Sequence, residues 1–142
     1  MGFGEAITTG FKKTFVYQGR ASLSEFWWFQ LFHVVSVVAL FFLFCLVLFL
    51  TGPGTDHKSI SPVAGLMGMV LFLYVFGMLL PLVSVAVRRL HDSDKTGVLL
   101  LIAFVPFGGL VLLAFYCLSG TRGPNKYGND PLRPETTAAQ VF

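Results

Sequence analysis

The sequence predicts an all-α, polytopic membrane protein: two long spans, a third apolar segment, and a short interfacial helix at the N-terminus. Three observations carry that prediction. Hydrophobic residues make up 55% of the 142 positions and charged ones only 12%, about half the charged share of a soluble domain. The charges are clustered, because residues 26–55, 59–87 and 96–121 contain none. Each of those windows is long enough to cross a hydrocarbon core roughly 30 Å thick. The disordered, coiled-coil and disulfide-scaffold classes are thereby excluded. The chain reads as a single membrane domain over 1–142 with flexible tails at 1–10 and 132–142. No extramembrane piece exceeds about 25 residues, too few for a separate soluble catalytic domain.

The N-terminal segment places Phe3, Ile7, Phe11 and Phe15 at intervals of four, which stacks them on one helical face. A short helix lying in the headgroup plane and a partly ordered terminus weakened by Gly2, Gly4 and Gly10 are both compatible with that pattern. Ser22-Leu23-Ser24-Glu25 then has the form of a capping box, in which Ser22 accepts from the Glu25 amide while the Glu25 carboxylate reaches back. The first long helix therefore starts near Leu23. Its apolar run Phe26 to Leu50 would extend about 37 Å, with Trp27 and Trp28 at the interfacial belt. The run is too long for a cleaved signal peptide, so a retained anchor is expected. His33, about one and a half turns inside, reads as a helix-helix hydrogen-bonding or interfacial residue rather than a ligand.

Gly52, Pro53 and Gly54 break the helix. The second span runs from Pro62 to Val87 with a kink at Pro81, and its Gly65 and Gly68 are too close together for the G-x-x-x-G dimer pattern. The third window, Val98 to Leu118, is interrupted by Pro106, Gly108 and Gly109. A single kinked span and a re-entrant pair of half-helices are both open. Cytoplasmic flanks carry an excess of Lys and Arg. A third crossing would divide the ten basic residues six to four, whereas a segment that turns back puts nine of the ten on the N-terminal side. The hairpin and a cytoplasmic N-terminus follow as the reading that best fits the charges. Cys45 and Cys117 read as buried small residues, with neither a disulfide nor a zinc site suggested.

Chemistry-bearing residues concentrate in Arg88-Arg89-Leu90-His91-Asp92-Ser93-Asp94-Lys95. On a helix, Arg88 faces His91 and Asp92 at the i+3 and i+4 spacings, leaving Arg89 free to address lipid phosphate or another segment. The plainer account is that basic residues closing a helix complement its dipole and anchor it at the headgroups. A metal held by His91, Asp92 and Asp94 would need three nearly consecutive ligands with no fourth partner, so none is expected; no cofactor is expected either. A His91–Asp92 general base lacks a nucleophile motif or a phosphate loop to work with, which weighs against an enzyme. Asn125 to Pro131 has the composition of an ordered turn.

Gly19-Arg20-Ala21-Ser22 followed by Glu25-Phe26-Trp27, the Arg88-Arg89-Leu90-His91-Asp92 cluster, and Gly123-Pro124-Asn125-Lys126-Tyr127-Gly128 ending in Asp130-Pro131 resemble the family called domain of unknown function 805, small bacterial inner-membrane proteins. The resemblance covers residues 11–131 and implies a multi-span inner-membrane protein of unassigned activity, with no catalytic residues to carry over. Leu23 stands where the family commonly has a second basic residue, and Val98 and Leu99 where it has tryptophans. If the three motifs share one side, Arg20, Glu25, Arg88, Arg89, His91, Asp92 and Asp130 form one interfacial ion-pair patch, joined by Asn125 and Tyr127. Glu25 should then contact the Arg88–Arg89 pair, because charges near the membrane are costly unless paired; a separation above about 10 Å, a Debye length, from both guanidinium groups would refute it.

Three functions fit these residues. The first is a structural or regulatory membrane unit that binds lipids, including anionic headgroups, or partner helices. The second is an oligomeric transporter or channel subunit, against which the uncharged spans weigh. The third is a lipid-headgroup enzyme using His91 and Asp92. Membrane lipids, a second copy or another membrane protein are the expected partners. Nucleic acid is excluded because no basic stripe is long enough to track phosphates.

Overall fold

A computed structural model describes residues 1–51 and 62–133. Residues 52–61 and 134–142 lie outside the described residues, and with them fall the expected Gly52–Gly54 break and most of the expected C-terminal tail. The chain forms α1 (Phe3–Lys12), α2 (Leu23–Thr51), α3 (Pro62–Asp92), a 3-10 helix (Gly97–Phe104) and α4 (Gly108–Cys117).

Residues 3–10, expected as a flexible tail, belong to α1. Phe3 meets Trp28 edge-on at 5.6 Å between ring centroids, and Phe11 meets Phe29 at 5.6 Å and Phe32 at 6.0 Å. Phe3 and Phe11 therefore share the face that packs on α2, whereas Phe15 falls beyond the helix and is exposed. Gly10, read as a weakness, is the point of closest approach. It is buried, and a Cβ there would run into the Phe29 ring. Ser84 of α3 fixes the end of this segment, its hydroxyl lying 2.7 Å from the Lys13 carbonyl and 2.9 Å from that of Val16.

The level of α1 gives the membrane a frame. Phe29 and Ser84 touch α1 or its exit, and the stretches Phe29–Thr51 and Pro62–Ser84 are each about 33 Å long at 1.5 Å per residue. That matches a hydrocarbon core of roughly 30 Å. The residues of α2 and α3 on the other side of α1 hold the charges. A cluster of Phe26, Phe29, Met78, Val85 and Ala86, with Tyr74, Leu100 and Tyr116 packed on it, forms the core near that polar end. Farther along, the helices touch through contacts such as Gly68 against Phe44 and turn apolar side chains outward, Phe42, Phe49 and Phe72 among them. Cys45 and Cys117 are exposed rather than buried, because a free thiol behaves as a small apolar group and an outward position among apolar surroundings costs it little.

The third segment is the re-entrant pair. Its 3-10 half is about 16 Å long and its α half about 15 Å, so neither half crosses the core. The chain reverses at Val105–Phe107, where Phe107 takes a left-handed backbone (φ 63°). Gly108 follows because a Cβ there would collide with the Ile102 carbonyl. Both ends of the hairpin return to the end of α3: Gly97 packs on Val87, and the Thr121 amide donates to the Asp92 carbonyl at 2.8 Å. Pro81 does not end α3, which continues unbroken to Asp92.

Candidate functional site

The α1–α2 linker, the end of α3 and the segment after α4 converge on one buried charged cluster. The Asp92 carboxylate is its centre, with Arg20 Nε 2.9 Å from Oδ1 and Arg89 Nη1 2.5 Å from Oδ2. Arg20 spends its remaining donors on backbone, Nη1 on the Gly123 carbonyl at 2.6 Å and Nη2 on that of Thr121 at 2.5 Å. Arg89 does likewise, donating from Nε to the Tyr116 carbonyl at 3.1 Å and from Nη2 to that of Leu118. These last carbonyls are the unpaired, negative end of α4, where a cation is favoured.

Beside this centre, Arg88 Nη1 lies 2.5 Å from Glu25 Oε1, both side chains at most 3% exposed. The expected capping box is therefore half formed. The Glu25 amide donates to Ser22 Oγ at 3.2 Å, but the carboxylate turns to Arg88 instead of reaching back along its own helix. The expected roles of the two arginines are exchanged as well. Arg88 faces Glu25 across the helix pair rather than His91 or Asp92, and Arg89, expected to be free, is fully buried on Asp92. Arg88 Nε and Nη2 have no hydrogen-bond partner.

The other expected residues form a cap over the cluster. His91 stacks face to face on Tyr127, rings 3.7 Å apart and 3° from parallel, with Nδ1 3.2 Å from the Gly19 carbonyl. Asn125 Nδ2 donates to the His91 carbonyl at 2.9 Å and to Thr121 Oγ1 at 3.0 Å, and Asn125 Oδ1 accepts from the Tyr127 amide. Asp130 does not join an ion pair among the described residues; it ties its own turn, accepting from the amides of Leu132 (2.9 Å) and Gly123 (3.2 Å). The Leu132 bond first, opposed by desolvation and joined by the Gly123 bond and the positive charges of Arg20 and Arg133, holds its carboxyl below the usual aspartate range.

Three participants escaped sequence reasoning. Thr121 accepts from Arg20 and donates to the Asp92 carbonyl through both its amide and its hydroxyl. Gly120 is needed because a Cβ would sit on the Asp92 carboxylate. Ser84 latches α1. Only Gly120-Thr121, polar residues ending an apolar run, left a trace in the sequence.

Three segments far apart in the chain, each contributing short motifs to one polar cap over the helix ends, define a recognisable arrangement. The model of a family described as protein of unknown function (DUF805) matches residues 14–129. The chain belongs to this family. Among its relatives, inner membrane protein YhaI of Escherichia coli (strain K12) is 40% identical over 116 residues, covering 81% of this chain and 85% of the relative. Inner membrane protein YhaH of the same strain is 34% identical over 117 residues, 81% of this chain and 86% of the relative. No solved structure matches the chain significantly. The relatives' names support a bacterial inner-membrane location, and family membership leaves the biochemical role open. The motif residues Arg20, Glu25, Arg88, Arg89, His91 and Asp92 are the ones the fold brings together.

Proposed function

We propose that this protein is a structural or regulatory membrane unit that binds lipids, with its polar cap facing the cytoplasm, rather than an enzyme or a pore. The observation that carries this reading is the mutual engagement of the buried charges. Asp92 and Glu25 are both held by arginines, and Arg20 and Arg89 spend their remaining donors on backbone carbonyls. Groups so committed act as a lock between segments, whereas a general base needs a free, accessible lone pair. His91 is also part of the packing, its ring stacked on Tyr127 and its Nδ1 at the Gly19 carbonyl.

The orientation follows from charge. The end of the molecule that carries α1 and the cap holds nine of the ten Lys and Arg residues against Glu5, Glu25, Asp92, Asp94 and Asp130. Such an excess is retained on the cytoplasmic side and faces anionic headgroups.

Substitution of His91 separates a lock from a catalyst. His91→Ala should lower cellular abundance and melting temperature together, and His91→Phe, which keeps the stack on Tyr127, should recover most of both. A His91→Phe protein that melts like wild type but reproduces the phenotype of a deletion would instead favour the enzyme reading.

A further inference from the structure

Two cavities lie one above the other along the same stripe of α2. The lower one, about 370 Å³, opens between α2, α3 and the hairpin and is lined by Trp27, Gln30, His33, Val83, Leu113 and Tyr116 with other apolar side chains. The upper one, about 210 Å³, is lined by Arg20, Leu23, Asp92, Arg122, Asp130 and Arg133 with the backbone of Ser119 to Thr121. Leu23, Trp27 and Gln30 are spaced i, i+4 and i+7, one face of a helix, with Leu23 lining the upper cavity and Trp27 and Gln30 the lower. The upper cavity is thus the polar continuation of the lower groove.

Their chemistries differ in the way an amphiphile requires. In the upper cavity Asp92 is already held by Arg20 and Arg89, and Asp130 by two backbone amides. Arg122 and Arg133 are exposed and make no ion pair among the described residues, which leaves two guanidinium groups to receive an anion. The lower groove has the size of a ligand site and a largely apolar wall that also carries the Gln30 amide and the His33 imidazole. One of them, His33, stacks on Tyr74 at 6.0 Å between centroids, and His33 Nδ1 and the Tyr74 hydroxyl are both buried without a hydrogen-bond partner. His33 lines the groove about 6 Å beyond the level of Phe29, with Gln30 about one turn before it. A saturated chain offers Gln30 and His33 no hydrogen-bond partner, whereas an ester carbonyl does.

We propose that the paired cavities form the seat of one anionic diacyl phospholipid, its phosphate between Arg122 and Arg133 and an acyl chain in the groove, with Gln30 and His33 reaching the ester region. This rests on the lipid-binding reading above and assigns it a site.

Trp27 lines the groove whereas Trp28 packs against Phe3, so a Trp28→Phe protein reports the groove alone. In zwitterionic micelles, phosphatidylglycerol brominated on its acyl chains should quench Trp27 saturably, and brominated phosphatidylcholine at least about tenfold more weakly. The double substitution Arg122→Gln/Arg133→Gln should weaken phosphatidylglycerol by about tenfold or more, and His33→Leu by about fivefold. Val83→Phe, which fills the groove from an exposed position, should abolish saturation. Inorganic phosphate and a polyprenyl phosphate, which lacks ester carbonyls, should fail to displace the lipid. Saturable, phosphatidylglycerol-selective quenching that all these variants leave unchanged would overturn the site while keeping lipid binding. Linear, headgroup-independent quenching would overturn both. Equal displacement by polyprenyl phosphate would overturn the assignment of the ligand class. Each variant is accepted only with a melting temperature near that of Trp28→Phe.

Discussion

Replacing Glu25 by Leu strands the Arg88 guanidinium. Arg88 is 1% exposed, its Nη1 has Glu25 as side-chain partner at 2.5 Å, and its Nε and Nη2 have none. The substitution leaves a buried cation with no protein hydrogen bond at all. Removing one partner of a buried ion pair costs about 3–5 kcal/mol, because the remaining charge stays desolvated. For a chain of this size that corresponds to a fall in melting temperature of roughly 10–20 °C. The same physics predicts rescue, since exchanging the whole pair for apolar groups of similar volume is often neutral or stabilising. Glu25→Leu/Arg88→Met should therefore melt within a few degrees of wild type, far above either single variant. Tryptophan-emission melting of the four proteins in one detergent gives the cycle directly. A double variant as unstable as Glu25→Leu, or a single loss under about 1 kcal/mol, would refute the claim that the pair is a desolvated lock.

Two glycines at the hairpin tip make a matched test. Gly108→Ala should destabilise by about 1–3 kcal/mol, because its Cβ would meet a backbone carbonyl that cannot rotate away. Gly109→Ala, which opens onto free space, should stay within about 0.5 kcal/mol of wild type, and equal melting of the two would contradict the reversal at Phe107. Asp130 predicts a pH effect. Its folded pKa is depressed, so its contribution to the tail turn is complete above the usual aspartate value and is lost as pH falls through the lower folded one. Amide exchange at Leu132 and Gly123 should accelerate in that acid window, and Asp130→Asn should show the fast rate at every pH.

How much of this was legible differs by element. The two long helices were readable because the bilayer demands long uncharged runs, and the hairpin only as one of two alternatives, the one a lopsided charge split favoured. The arginine roles were not. Neighbouring helical residues point about 100° apart, so spacing within α3 shows which pairs can meet along the helix but not which residue faces α2. Arg89 and Asp92 obey the i+3 rule; Arg88 obeys a contact with Glu25, 63 residues away. Glu25 likewise had a local use as a capping residue, and a buried guanidinium outcompeted it, since a charge-assisted bond in the interior is stronger than a solvated cap. Gly10 and Gly120 were unreadable for a different reason. Propensity records what a glycine costs a helix, and only the fold reveals the Phe29 ring or the Asp92 carboxylate that a Cβ would strike.

The hairpin and the charged cluster require each other. Half-helices of about 15 Å cannot leave the membrane on the far side, so the hairpin must end on the side where it began, with the last carbonyls of α4 unpaired near the polar end. Left in an apolar setting those carbonyls would be costly. Arg89 supplies their donors at Tyr116 and Leu118, and Arg20 does so for Thr121 and Gly123. The arginines in turn need more than carboxylates, because Arg20, Arg88 and Arg89 outnumber Asp92 and Glu25 in the buried set. The backbone dipole of the returning hairpin compensates the excess positive charge. A third segment that crossed the bilayer would carry those carbonyls some 30 Å away and leave two buried guanidinium groups to share one carboxylate. The re-entrant turn is therefore a condition of the cluster's neutrality as well as a consequence of Pro106, Gly108 and Gly109.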